Sequence, residues 1–92
     1  MSSSSFPPNI ERERLEKKLL EKMQAAERAY RAAAAEYKSI RAEFADMLDH
    51  PDGTAAVSQA ALHERVAVEN YRRALRAFTD FILHGRLPPE ND

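Results

Sequence analysis

Two pairs of residues in this 92-residue chain stand four apart and carry the atom types a divalent cation favours, Asp46 with His50 and Asp80 with His84. On a helix that spacing places a carboxylate and an imidazole on one face, so each pair offers one oxygen and one nitrogen ligand. A closed zinc site needs four ligands, and a chain folded back at its middle carries the two pairs to opposite ends. Both histidines stand at the end of an expected helix, where imidazolium is favoured by the macrodipole and by the aspartate one turn back. The Glu-x-x-His motif of di-iron bundles is absent. These four residues are the metal candidates of the chain; capping is their expected role, and no cofactor is expected.

Other chemistry has less to work with. There is no cysteine, which removes thiolate nucleophiles, thiolate metal sites and disulfides together. The serines sit at positions 2–5, 39 and 58, with neither a glycine-rich phosphate loop nor a nucleophile elbow around them. The expectation is a protein that is not an enzyme. Arg65, Arg72, Arg73 and Arg76 make the densest basic patch, with Arg86 beyond it, but the whole chain carries a net charge of −1. Tyr71 and Phe78 are spaced to point into a helical seam, leaving no aromatic platform for bases, so nucleic acid is not expected as a partner. No apolar run approaches the roughly 20 residues of a membrane span, and Met1–Phe6 lacks the pattern of a signal peptide. A cytoplasmic protein is expected, and the alanine- and arginine-rich usage suits a GC-rich bacterium.

The elements that must position these groups are two long helices. Glycine occurs only at 53 and 85, and Ala, Glu, Arg and Leu dominate. Residues 1–8 read as a disordered leader, 9–86 as a helical hairpin and 87–92 as a tail. Within the hairpin the first helix is expected over about 9–49, a turn over 50–53 and the second helix over about 54–84. Asn9 is the expected first cap, with Asp52 or Thr54 as the second; Gly85 and the following prolines end the second helix. Residues 10–18 overhang the shorter second helix, with i,i+4 pairs expected between Arg12 and Glu16, Glu13 and Lys17, and Lys17 and Glu21.

Apolar residues on the first helix advance in steps of four and three through Leu19, Met23, Ala26, Tyr30, Ala33, Tyr37, Ile40, Phe44 and Met47. On the second helix the same rule selects Val57, Ala61, Glu64, Val68, Tyr71, Leu75, Phe78 and Ile82. Folding about Pro51 pairs Phe44 with Ala61, Tyr37 with Val68, Ala33 with Tyr71, Tyr30 with Leu75 and Ala26 with Phe78. The fold expected is all-α, an antiparallel two-helix hairpin with coiled-coil-like heptads. A second stripe, Ala60, Ala67, Ala74 and Phe81, repeats beside that seam. Two helices bury one narrow seam, whereas an apolar face of this width suits a bundle of four. A homodimer forming a four-helix bundle follows, with that stripe, Leu62 and Val66 as its interaction residues.

Glu64 is the one acid at a seam position, opposite Ile40 in this register. A carboxylate there is costly unless paired, and a polar core residue often fixes register or oligomeric state. His50-Pro51-Asp52 is similar to the tripeptide that J-domain co-chaperones carry between two helices. The resemblance covers those three residues alone. Here the preceding residues are acidic and Gly53 follows, which reads as turn chemistry. The outline is similar to small secreted Trp-x-Gly hairpins and to type III needle subunits, but there is no tryptophan and the likeness is architectural. The function expected is a non-enzymatic interaction or scaffold module. The alternative is a ligand- or metal-binding bundle whose site forms between subunits around Glu64.

Overall fold

The computed structural model of the chain describes residues 8–47 and 49–87; the leader up to position 7, Leu48 and the tail beyond Leu87 lie outside them. Two helices account for nearly all of it: α1, Pro8–Glu43, and α2, Pro51–His84. They have 36 and 34 residues, close to 54 and 51 Å at about 1.5 Å per residue. The chain is all-helical, with the two helices packed against each other as a hairpin and no strand among the described residues.

α1 begins on Pro8, whose fixed φ suits a first turn and whose missing N–H would have had no partner there. Glu11 sits in its positive first turn and Arg41 in its negative last turn. The helix ends at Glu43, short of the expected Asp49. A 3-10 turn over Ala45–Met47 follows, closed by the Phe44 N–H on Ile40 O (3.0 Å) and the Met47 N–H on Phe44 O (2.9 Å). The His50 N–H then donates to Met47 O at 3.0 Å.

Pro51, expected to end the first helix, starts the second. His50 is extended (φ −97°, ψ 143°), the conformation favoured before proline, and its carbonyl accepts the Thr54 N–H at 3.0 Å. His50 is therefore the N-cap residue of α2, in place of the expected Asp52 or Thr54, and its side chain makes no capping bond. Gly53 lies inside α2, buried, and does not take the left-handed conformation a reversal would need. Its role is close approach. A Cβ at this position would lie 2.8 Å from the Met47 carbonyl carbon, and closer still to its oxygen. The turn can rest on the first coil of α2 only because no side chain intervenes.

α2 ends as expected on Gly85, which is left-handed (φ 68°, ψ 18°) and donates to Phe81 O at 2.9 Å. The Arg86 N–H reaches back to Asp80 O at 3.3 Å, satisfying a second terminal carbonyl.

The inner face of α1 is the expected one from Leu19 to Phe44, every seam residue buried or half-buried, while Met47 is exposed in the turn. The inner face of α2 is not. Ala60, Ala67 and Phe81 are buried and Ala74 half-buried, alternating with Val57, Glu64, Tyr71 and Phe78. The expected column of Ala61, Val68, Leu75 and Ile82 lies on a flank, with Leu75 40% exposed. The bulky Met23, Tyr30 and Tyr37 of α1 leave room for alanine, not for leucine or valine, in the facing column.

The register differs by one helical turn as well. Tyr30 stacks on Tyr71, with ring centroids 6.1 Å apart and 4° between planes, where Leu75 was its expected partner. Starting α2 at Pro51 moves the whole helix relative to a turn centred on Gly53. The resulting core is thin. Among the described residues only Leu19, Ala33, Ala60, Ala67 and Phe81 are buried apolar side chains, and none of the large ones is fully enclosed.

Candidate functional site

The metal candidates are not drawn together. Asp46 lies in the 3-10 turn and His50 at the head of α2, so no single helix face carries the two. His50 thus sits at the positive end of α2, where its expected dipole stabilisation has the wrong sign. Asp80 and His84 do share the last turns of α2, with Asp80 half-buried and His84 exposed. No group of three or more His, Asp or Glu among the described residues is arranged to hold a metal ion.

Glu64 is half-buried in the seam and has no hydrogen-bond or ion-pair partner among the described residues. With the register set by Tyr30 and Tyr71, its level on α1 is that of Tyr37, one turn from the expected Ile40. The expected interaction residues divide. Ala60, Ala67 and Phe81 are enclosed within the hairpin and Ala74 is half-covered there, so the alanine stripe closes the chain's own seam. Leu62 and Val66 remain exposed, at 55% and 50%. Phe81, at 4%, is the most enclosed apolar side chain among the described residues. The Arg12 guanidinium lies 5.3 Å from its ring centroid, so the overhanging start of α1 covers the end of α2. None of the three ion pairs expected in that overhang forms; the helical pairs among the described residues are Glu27–Arg31 (2.7 Å) and Glu69–Arg72 (3.2 Å).

The two flanks of the hairpin differ in chemistry, a contrast the seam positions alone do not reveal. One carries an open groove of about 550 Å³ beside the turn, lined by Glu36 and Ile40 of α1 and by Ala56, Gln59, His63 and Val66 of α2, among others. His63 Nδ1 lies 3.4 Å from Glu36 Oε1 across it, both side chains being exposed. Toward the far end the same side of α1 presents exposed Ala25, Ala29 and Ala32.

The opposite flank carries the column displaced from the seam, Ala61, Val68, Leu75 and Ile82, with Leu20 and Ala34 facing it from α1. Its outer edges are cationic. Lys17, Arg31, Lys38 and Arg41 follow along α1, and Arg65 and Arg72 along α2, all exposed. Glu27 holds Arg31 and Glu69 holds Arg72; the other four have no acidic partner among the described residues. Sequence reading placed Arg65 and Arg72 in a patch. It did not join them to the lysines of α1, which requires knowing which column faces the other helix.

No helix among the described residues is long and apolar enough to cross a membrane. Comparison of the chain with protein-family models, curated proteins and solved structures finds no match.

Proposed function

We propose that the chain is a non-enzymatic interaction module that self-associates, two hairpins completing one four-helix bundle through the flank that carries the groove. The observation that carries this reading is the exposure of Leu62 and Val66, one turn apart beside an apolar groove, in a hairpin whose own core is thin. A pair of helices this long with so few enclosed side chains gains from covering more apolar area, and association is the common way to do it.

The alanines at 25, 29 and 32 let another helix backbone come close along the same side. Charge supports a two-fold, antiparallel arrangement. About an axis at Ala29, Lys22 of one copy stands level with Glu36 of the other, and the pair is made twice. Ala67 and Ala74 have no part in this interface, since they line the intrachain seam, while Ala60, buried in that seam, also borders the groove.

The mass in solution tests it. Light scattering is expected to give a dimer for the wild-type chain and a monomer of unchanged helicity for Leu62→Glu combined with Val66→Glu. Lys22→Glu should weaken the dimer, and adding Glu36→Lys should restore it. A wild-type chain that stays monomeric at every attainable concentration would sink the reading.

A second reading, a ligand or metal bound between subunits, rests on Glu64, a half-buried carboxylate with no intrachain partner among the described residues. Calorimetric titration with zinc, manganese or iron decides it; heat that survives Glu64→Gln would remove this site from consideration.

A further inference from the structure

The cationic flank is unsuited to a second copy of this chain. Six cations border it, Lys17, Arg31, Lys38, Arg41, Arg65 and Arg72, against the acids Glu13, Glu27 and Glu69, the last two each engaged with an arginine. Two such edges facing each other would repel, and opposed like charges at an interface act strongly against pairing. Yet the strip between the edges is apolar. Leu75 is 40% exposed, and Leu20, Val68 and Ile82 are half-covered beside it. Heptad spacing keeps Ala61, Val68, Leu75 and Ile82 in one line along α2.

A continuous apolar line bordered by like charge on both sides defines its occupant. An amphipathic helix laid lengthwise places its apolar stripe on Val68, Leu75 and Ile82, and its two edges then meet the lysines and arginines. Those edges must be acidic. We propose that this flank docks an acidic amphipathic helix from another protein, with the leucine–valine line as the contact and Lys17, Lys38, Arg41 and Arg65 as the unneutralised charges that select it. Duplex nucleic acid would use the cations but not the apolar line, and among the described residues the flank carries no exposed aromatic ring for single strands. This docking is separate from self-association, which uses the opposite side.

The probe is a synthetic helix of about four heptads with leucine at its seam positions and glutamate along both edges, compared with the same peptide bearing lysine at those edges. Fluorescence anisotropy with the full chain is expected to give about tenfold tighter binding of the glutamate peptide, weakening as salt rises. Lys38→Glu with Arg65→Glu, both at exposed positions, should lower that affinity about tenfold while leaving helicity unchanged. Leu75→Asp should lower it too. Equal affinity for the two peptides overturns the proposal. So does tighter binding of a DNA duplex or of phosphatidylserine vesicles that is indifferent to Leu75→Asp. The monomeric Leu62→Glu, Val66→Glu chain must still bind the glutamate peptide; loss of binding there would mean that the peptide reports on the dimer, and would equally overturn it. Wild-type mass, measured on the same samples, judges self-association independently.

Discussion

Tyr30 of α1 and Tyr71 of α2 lie face to face, 6.1 Å between centroids and 4° between planes, and this pair locks the register of the hairpin. At that separation parallel rings are offset, the arrangement aromatic quadrupoles favour, worth about 0.5–1.5 kcal/mol beyond the area covered. Neither hydroxyl has a hydrogen-bond partner among the described residues. Tyr71→Ala should therefore lower stability by about 2–3 kcal/mol in urea unfolding, and Tyr71→Phe by less than about 0.5 kcal/mol. A phenylalanine variant as unstable as the alanine one would show that the hydroxyl, not the ring, matters.

Gly53 offers a test in the sign of an effect. Alanine in place of glycine within a helix ordinarily stabilises by about 1 kcal/mol. Here the added Cβ would meet the Met47 carbonyl, so Gly53→Ala should destabilise by about 1–3 kcal/mol. Gly85→Ala meets nothing within 4 Å and should cost only the left-handed backbone, about 1 kcal/mol. His50→Gln, at a side chain that caps nothing, should change stability by less than about 0.5 kcal/mol. Calorimetric melting of the three variants checks the order, and a stabilised Gly53→Ala chain would contradict the close approach.

Ala67 separates the two columns of α2. Buried at the seam, it has no room for three more heavy atoms, and Ala67→Leu should cost about 1–3 kcal/mol. Leu75→Ala, on the flank, should cost less than that. Were the columns exchanged, the alanine at 67 would be an outer residue, and its replacement by leucine would leave stability nearly unchanged.

Glu64 takes a carboxylate half out of water with no partner among the described residues. Glu64→Leu should raise stability by about 1 kcal/mol, the desolvation it relieves being partial. If Glu64 also selects the oligomeric state, light scattering of this variant should show altered or mixed masses. A single unchanged mass with unchanged cooperativity would confine Glu64 to a local cost.

The hairpin, the inner face of α1 and the Gly85 terminus were legible because each rests on a strong local signal: an uninterrupted helical period, a run of large apolar residues, and a glycine followed by prolines. The turn misled, because Pro51 ends helices and begins them with equal ease, and only the backbone of His50 decides which. The seam of α2 misled for a different reason. Ranking columns by apolar bulk favours Val68, Leu75 and Ile82 over Ala60, Ala67 and Ala74. The helix opposite spends its bulk on tyrosines, and space then selects the smaller column. The pairing of Asp46 with His50 depended on their sharing a helix, and so came apart with the boundary at Glu43, whereas Asp80 and His84 do share α2. The cationic flank could be seen only after the column facing α1 was known.

One connection joins α1 to α2, so Pro8 and His84 emerge at the same end and the turn at Ala45–Met47 is a free tip about 50 Å away. Among the described residues no segment crosses either side of the rod. A helix arriving at either flank would meet no other described segment along that length and could enter from the tip or from the side. For the helices proposed to dock on it the rod would act as a rail: repeated, shallow contacts would set how strongly a helix is held, while the spacing of the charges would decide where along it the helix comes to rest.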